Sequence, residues 1–212
     1  MKSPGTSVAA AYNGPLDDSG FPQAEAWIDA EAVRFDGDWQ GKNADPQRST
    51  EVRLLWSTAN LYLKFVSRYR ILTVFADAEP NGRRDQLWDR DVVEVFLQPD
   101  TTVLRQYKEF EVSPNGYWID LDIDNGALAD LQSGLKRRVV VDESAKTWTA
   151  ELAIPMKSLV QHFDPRATWR VNFYRVEGAT EPRFYSSWQP TNTAKPNFHV
   201  PELFGYLKFA AP

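Results

Sequence analysis

Apolar and polar residues alternate in a succession of short runs along most of this chain, from about Glu51 onward. A period of two is typical of β-strands with one buried face, and turn residues such as Gly, Pro, Asn and Asp separate the runs. The runs predicted as strands are Glu51–Trp56, Asn60–Ser67, Asp91–Leu97, Tyr107–Val112, Tyr117–Ile123, Leu135–Val141, Thr147–Ile154, Trp169–Val176, Phe184–Trp188 and Tyr206–Phe209. This succession predicts an all-β fold, an antiparallel two-sheet β-sandwich with minimal helix.

Helical signals are confined to two short segments. Pro155–Gln161 is predicted to form about two turns because Pro suits the first helical position, and Asp29–Val33 is predicted to form one turn. Residues 1–22 are rich in small residues, Pro and Gly, and are predicted to form an extended N-terminal arm. No shift in composition marks a second domain, so residues 23–212 are predicted to form a single β-sandwich domain.

Composition and charge narrow the classes of partner. A hydrophobic content of 42% is sufficient for a core, and a net charge of −5 argues against a nucleic-acid partner. The chain has no cysteine and no apolar run long enough to predict a membrane span. Its first residues lack the apolar segment of an intact signal peptide. We therefore expect a cytoplasmic protein or, if a signal peptide has been removed, an extracellular or periplasmic one.

Trp88 and Glu94 lie where a charged loop runs into an apolar strand. Several Arg and Asp residues surround Trp88, and this setting favours an exposed ring. In the following strand, Glu94 shares a face with Val92 and Phe96. A carboxylate among apolar neighbours needs a partner or an open cleft. Glu94 therefore either pairs with an arginine of a neighbouring strand or faces a pocket that has Trp88 as a wall.

Glu111 belongs to the next predicted strand, within the run Glu109-Phe-Glu-Val112. If this strand pairs with the preceding one, Glu111 and Glu94 come close together. Three roles are then open: holding sugar hydroxyls, binding a metal ion, or acting as a catalytic pair, since carboxyl groups about 5 Å apart match retaining glycosidases. Repulsion between two neighbouring acids makes the catalytic role the least favoured of the three.

The loop from Thr191 to Gly205 is rich in Pro and Asn and connects two predicted strands. Phe198 and His199 follow no strand or helix periodicity there, so Phe198 either plugs the core or offers a ring for stacking. A ring beside carboxylate, amide or imidazole groups suits a sugar, whose C–H face stacks on the ring while its hydroxyls bind the polar groups. The spacing of the two histidines in the chain, His162 and His199, does not indicate a zinc site.

The alternating acids Asp120, Asp122 and Asp124 are similar to the start of a calcium-binding loop. However, Gly126 falls one place late, and the twelfth position is Leu131 rather than Glu. The alternation instead predicts a strand with its aspartates on a solvated face.

Many short motifs, in their order along the chain, resemble a carbohydrate-binding module of family 9, in particular the CBM9-like branch. The resemblance spans roughly residues 24–210. The motifs are Glu51-Val-Arg-Leu-Leu-Trp56, Asn60-Leu-Tyr-Leu63, Trp88 through Asp91-Val-Val-Glu94-Val-Phe96, Glu109-Phe-Glu-Val112, Ala150-Glu-Leu-Ala-Ile-Pro155, Trp169-Arg-Val-Asn-Phe173, Ser187-Trp188 and Phe204-Gly205-Tyr-Leu207. The resemblance implies a β-sandwich that holds glucose- or xylose-type units of glucans or xylans between two aromatic rings.

The same resemblance implies roles for individual residues. Trp88 takes the position of the first ring and Phe198 that of the second, where Trp is usual. Glu94 matches an acid that accepts from sugar hydroxyls and Asn192 matches a loop amide, whereas Glu111 stands where the family has an arginine. The candidate ligand-binding residues are therefore Trp88, Glu94, Glu111, Asn192, Phe198 and His199. The resemblance implies no required cofactor, and a structural calcium ion whose ligands the motifs do not assign.

The predicted function is non-catalytic binding of a saccharide partner, and the resemblance links it to glycoside hydrolase or xylan-degrading activity. Two other classes stay open. One is a glycoside hydrolase that uses Glu94 and Glu111. The other is a haem- or redox-associated β-sandwich, which needs axial ligands that project inward. The available axial ligands are His162, His199, Met1 and Met156. The sequence leaves the oligomeric state open.

Overall fold

The computed structural model describes residues 3–212, which form thirteen β-strands. The strands are β1 (Thr6–Ala11), β2 (Ala32–Phe35), β3 (Thr50–Trp56), β4 (Asn60–Arg68), β5 (Val92–Gln98), β6 (Gln106–Val112), β7 (Trp118–Asp124), β8 (Ala127–Asp130), β9 (Lys136–Asp142), β10 (Thr147–Pro155), β11 (Trp169–Glu177), β12 (Phe184–Ser187) and β13 (Gly205–Phe209). The helical elements of the described residues are one turn of α-helix, α1 (Met156–Leu159), and four 3-10 turns at Ala24–Trp27, Pro46–Arg48, Leu87–Asp89 and Pro201–Leu203.

The strands follow one hydrogen-bonded path, in the order β8-β7-β6-β5-β11-β13-β1-β3-β4-β10-β9, with β12 beside β11 and β2 beside β3. Most neighbours are antiparallel, but β1 runs parallel to both β13 and β3. No hairpin joins β1 to either neighbour, so no turn dictates an antiparallel direction. The all-β class with minimal helix is confirmed. The antiparallel two-sheet prediction is not, because the strands form a curled mixed sheet, a half-barrel that β1 bridges.

The central core lies between the two halves of the curled sheet. Strands β3, β4 and β10 of one half and β5, β6 and β11 of the other contribute buried residues to this core. Phe65 on β4 meets Phe173 on β11 edge to face, with ring centroids 6.1 Å apart. The period of two in the sequence therefore reports which face of each strand is buried between the halves.

A second apolar cluster lies on the opposite face of β5, β6, β7 and β11. Strand β5 is buried along its whole length because it separates the two clusters. Alternate residues from Val93 to Leu97 belong to the central core, whereas Val92 and Phe96 belong to the second cluster. This double burial explains why the strand is apolar on both faces, with Glu94 and Gln98 as the exceptions.

Three local predictions differ from the structure. The helix predicted over Pro155–Gln161 is reduced to the single turn α1, and Asp29–Val33 leads into strand β2 rather than forming a helical turn. The aspartates of β7 are not all solvated, since Asp120 is buried and accepts hydrogen bonds from the backbone N–H and hydroxyl of Ser133. A local partner thus overrides the exposure that alternation predicts.

The predicted N-terminal arm, residues 1–22, contributes strand β1, and residues 1–2 of it lie outside the described residues. The backbone of β1 is extended, but it is paired on both sides and Ala9 is fully buried. Among the described residues, no helix has the length and apolar character needed to cross a lipid bilayer.

Candidate functional site

A cavity of about 290 Å³ opens over the second apolar cluster, beside strands β5, β6 and β12 and the loop that precedes β13. Its aromatic lining consists of Trp88, Phe96, Tyr185 and Phe198. Its polar lining consists of Glu94, Glu109, Glu111, Arg183, Asn197 and His199. Five of the six predicted site residues therefore meet in one pocket, and Asn192 is the exception.

Three glutamates form the acidic floor of this pocket. Glu94 on β5 lies directly opposite Glu111 on β6, as the predicted pairing of the two strands requires. Glu109 stands two residues before Glu111 and therefore on the same face of β6. Each side chain offers a carboxylate oxygen within 4.8 Å of the oxygens offered by the other two. All three residues are buried, with at most 2% of their surface exposed.

Most of the carboxylate oxygens in the floor lack a hydrogen-bond partner among the described residues. The oxygens without a partner are Glu94 Oε1, Glu109 Oε2, Glu111 Oε1 and Glu111 Oε2. Moving an ionised carboxylate from water to a buried site without hydrogen-bond donors costs roughly several kcal/mol of free energy. Of the two alternatives for Glu94, pairing with an arginine is not observed, since no described Lys or Arg lies within ion-pair distance of Glu94.

Burial and mutual repulsion control ionisation of the floor. Burial, reinforced by the charge of Glu109, raises the pKa of Glu94 well above its usual range, although Arg183 opposes this shift. Burial and both neighbouring acids likewise raise the pKa of Glu111. Burial also raises the pKa of Glu109, and the neighbouring Glu111 carboxyl group and His199 oppose that shift. The three carboxyl groups therefore resist ionising together.

Trp88 forms one wall of the pocket from a 3-10 turn that is fixed on both sides. Leu87, in the same turn, is fully buried in the second cluster, so the turn cannot swing away from the sheet. The backbone carbonyl of Trp88 accepts a hydrogen bond of 2.7 Å from Arg183 Nη1. Trp88 is half-buried and packs against the second cluster, so it is less exposed than its charged surroundings predicted.

Arg183 and Tyr185 line the pocket from β12 and its approach. The Arg183 guanidinium lies over the Tyr185 ring, 4.9 Å from the centroid. Glu181 accepts hydrogen bonds from both side chains. Burial and the hydrogen bond to Glu181 raise the pKa of the Tyr185 hydroxyl to about 12, so this hydroxyl stays protonated. The sequence carries no periodic signal that places these residues beside Trp88.

Phe198 is packed into the second cluster at the edge of the cavity. Only 8% of its surface is exposed, and its ring stacks on Tyr174 with centroids 4.2 Å apart. The Tyr174 hydroxyl donates to the backbone carbonyl of Phe198 at 2.9 Å. Of the two predicted roles for Phe198, packing into the core is therefore observed, while part of the ring still lines the cavity.

His199 and Asn192 have different positions relative to the pocket. The imidazole of His199 is exposed at the rim and shares a hydrogen bond of 2.9 Å between Nδ1 and the Tyr107 hydroxyl. Asn192 lies instead beside Trp188 in a separate surface depression. Its backbone φ is +55°, in the left-handed region that Asn tolerates better than most residues. Asn192 was selected from the resemblance to the family, and the structure does not bring it to the glutamates.

Glu109 is a site residue that the sequence analysis did not select. Its signal was present, because the period of two in β6 places it on the face of Glu111. The described candidates for haem ligation do not form an inward-facing pair, since Met156 is buried in the central core whereas His162 and His199 are exposed. Met1 lies outside the described residues.

Comparison with known sequences identifies one family over most of the chain. A family model described as carbohydrate-binding family 9 matches residues 39–209. An extracellular protein of Arthroderma benhamiae is 24% identical over 195 residues, which cover 84% of this chain and 85% of that protein. The UPF0462 protein C4orf33 homolog of Mus musculus is 29% identical over 141 residues, which cover 62% of this chain and 67% of that protein.

Comparison with solved structures identifies the same fold. A structure from Bacteroides uniformis matches with a TM-score of 0.76 at 19% identity, over 98% of this chain and 100% of that chain. A family 9 carbohydrate-binding module from Caldicellulosiruptor kristjanssonii, in complex with cellotriose, matches with a TM-score of 0.71 at 16% identity, over 98% and 95% of the two chains. A glucose complex of a family 9 module from the same organism matches with a TM-score of 0.68 at 16% identity, over 98% and 97%.

Proposed function

This chain belongs to carbohydrate-binding family 9, and we propose that its acidic pocket binds glucose- or xylose-type units of glucans or xylans. Modules of this family are non-catalytic, so the pocket holds a sugar rather than cleaving it. The observation that carries the proposal is the pairing of a partly exposed indole, Trp88, with a buried floor of unpartnered acceptor oxygens. The complexes of the Caldicellulosiruptor modules with cellotriose and glucose support the choice of ligand class.

The apolar contact in this proposal is an aromatic clamp. Trp88 supplies the larger surface, on which the C–H face of a sugar ring stacks. Phe198 supplies a smaller surface on the other side, held in place by its stacking on Tyr174. Because Phe198 is only 8% exposed, we assign most of the stacking energy to Trp88.

The polar contacts in this proposal run from sugar hydroxyls to the glutamates. Ionised carboxylates only accept hydrogen bonds, so their natural ligand is a molecule rich in O–H donors. Vicinal sugar hydroxyls offer such donors at neighbouring positions and match the unpartnered oxygens of Glu94, Glu109 and Glu111. Binding then relieves a desolvation cost that the unliganded pocket bears. His199 and Asn197 at the rim provide further polar contacts.

Isothermal titration calorimetry with glucose, cellotriose and xylotriose tests this function. We expect a dissociation constant between about 1 μM and 1 mM, as one stacked ring and a few hydrogen bonds provide. Trp88→Ala removes the main stacking surface and should weaken binding about tenfold or more. The matched control is Tyr206→Ala, which removes an exposed ring on β13 outside the pocket.

Two results contradict the proposal. One is wild-type affinity in the Trp88→Ala variant, which would exclude the pocket as the site. The other is the absence of binding heat with all three sugars at concentrations well above the expected dissociation constant. Equal loss in Trp88→Ala and Tyr206→Ala would indicate general damage to the protein, and thermal unfolding of both variants measures that directly.

A further inference from the structure

We infer that Glu94, Glu109 and Glu111 form a divalent cation site, suited to calcium, in the floor of the pocket. The described residues contain one such group of three acids. The inference concerns the metal chemistry of these side chains, which is separate from their contact with a sugar.

The distances between the carboxylates fit a single ion. Calcium binds oxygen at about 2.3–2.6 Å, so two ligands of one calcium ion lie at most about 4.6–5.2 Å apart. The three glutamates offer one oxygen each, and these oxygens lie within 4.8 Å of one another. They come from two adjacent, fully hydrogen-bonded strands, so the spacing is fixed by the sheet rather than by mobile loops.

The donor set is that of a hard cation. Calcium, magnesium and manganese prefer carboxylate oxygen, whereas zinc sites usually include imidazole or thiolate groups. Calcium takes six to eight oxygen ligands, and three carboxylates supply about three to six of them. The remaining positions face the cavity of about 290 Å³, where water or sugar hydroxyls can complete the shell.

The charge of the floor is not balanced by the protein itself. Among the described residues, no Lys or Arg forms an ion pair with any of the three glutamates. The positive charge of Arg183 partly offsets the charge of Glu94. However, its guanidinium donates hydrogen bonds to the Trp88 carbonyl and to Glu181 instead. Buried acids without counter-charge are destabilising, and a bound dication supplies both the charge and partners for the orphan oxygens.

The missing hydrogen-bond partners of the three glutamates independently support a ligand at this acidic cluster. Glu111 is fully buried, lines the cavity, and has no partner for either carboxylate oxygen. Oε1 of Glu94 and Oε2 of Glu109 are likewise buried and have no hydrogen-bond partner. A folded protein rarely leaves four buried acceptors without donors in one place. A cation that takes one oxygen from each glutamate supplies the partner that these buried groups lack.

Titration of metal-free protein with CaCl₂ by calorimetry, without sugar, tests the site. We expect saturable binding of one ion per chain and a rise in the thermal unfolding midpoint. Glu109→Gln and Glu111→Gln should each weaken calcium binding about tenfold or more, because ligand charge sets calcium affinity. Both variants remove an uncompensated buried charge, so we expect them to fold. Asp122→Asn, at an exposed acid of β7, is the matched control and should bind as wild type.

The result that overturns the site is no saturable binding up to about 10 mM CaCl₂, beyond the range of protein calcium sites. Wild-type calcium affinity in a folded Glu109→Gln or Glu111→Gln variant overturns it as well. MgCl₂ and MnCl₂ titrations distinguish the preferred ion, and tighter binding of either contradicts the assignment to calcium.

A contact between this ion and a sugar rests on the proposed function, whereas the ion site does not. Sugar titrations with calcium and with EDTA separate the two. Calcium binding with no sugar binding supports the cation site and refutes the proposed function alone. Sugar binding that weakens in EDTA supports direct contact, and sugar binding that EDTA leaves unchanged overturns it.

Discussion

At the scale of single residues, Glu111 is a buried acid with neither oxygen partnered. Its carboxylate is fully buried, lies opposite Glu94 on the neighbouring strand, and accepts no hydrogen bond. In metal-free protein, we therefore expect Glu111→Gln to raise the free energy of unfolding by about 2 kcal/mol. The new amide carries no charge and can donate to the carboxylates of Glu94 and Glu109. Urea unfolding followed by tryptophan fluorescence, with EDTA present, measures this change.

The control for that prediction is Glu143→Gln, in the exposed turn between β9 and β10, where the same chemical change should have almost no effect. A less stable Glu111→Gln variant in EDTA would mean that donors reach Glu111 in solution, contrary to the structure. With saturating calcium, the order of stability should reverse, because only the wild-type protein keeps all three ligands.

Sequence patterns reach some of these residues and not others, for a physical reason. The period of two placed Glu94 and Glu111 close together on the condition that β5 and β6 pair, and the structure shows that they pair in this register. Loops have no such rule. Phe198 is packed against Tyr174 and Asn192 points elsewhere, since their positions depend on local turns and long-range packing.

At the scale of secondary-structure elements, β1 is the strand on which the sheet most depends. It pairs with β13 at four positions and with β3 at two, and thereby joins the two halves. Removal of residues 1–11 should leave two unpaired inner edges and lower the unfolding midpoint by about 10 °C or more, or abolish folding. Circular dichroism during heating measures this effect.

The matched truncation removes residues 1–4 and keeps β1. Gly5 accepts a hydrogen bond from the Tyr206 backbone N–H, so this shorter deletion preserves the pairing with β13. We expect its unfolding midpoint to stay within about 3 °C of the full chain. A folded protein with an unchanged midpoint after removal of residues 1–11 would show that β1 is dispensable.

Two strands that the sequence did not predict, β1 and β8, share a property, namely weak alternation. Strand β8 is exposed along its whole length, so burial imposes no pattern on it. Strand β1 consists largely of Ala, Ser and Thr, whose side chains give little apolar contrast between the two faces. The strands that form the central core were found because one face of each must be apolar.

At the scale of the whole molecule, the order of the strands is the feature least accessible to sequence. The parallel pairing of β1 joins residues 6–9 to residues 206–209, nearly the full length of the chain apart. Periodicity identifies faces of strands but carries no record of which distant strand is the neighbour. The prediction of two separate antiparallel sheets had ten of the thirteen strands and lacked β2, β8 and the bridging strand β1.

Because of the bridging strand and the shared core, we expect the two halves to unfold as one cooperative unit. Both halves contribute to the same core, as the contact between Phe65 and Phe173 shows. We expect one thermal transition by calorimetry, with equal calorimetric and van't Hoff enthalpies. The pocket lies on only one half, beside β5, β6 and β12.

A bound ligand should therefore shift the whole transition rather than part of it. Leu54→Ala, on β3 of the other half, provides the test, since it should lower stability by about 2–5 kcal/mol from a distant position. If the halves unfold together, a saturating ligand raises the midpoint of this variant as it does for the wild type. A second transition that the ligand does not move would instead show that the half carrying the pocket folds on its own, and that β1 merely connects two independent sheets.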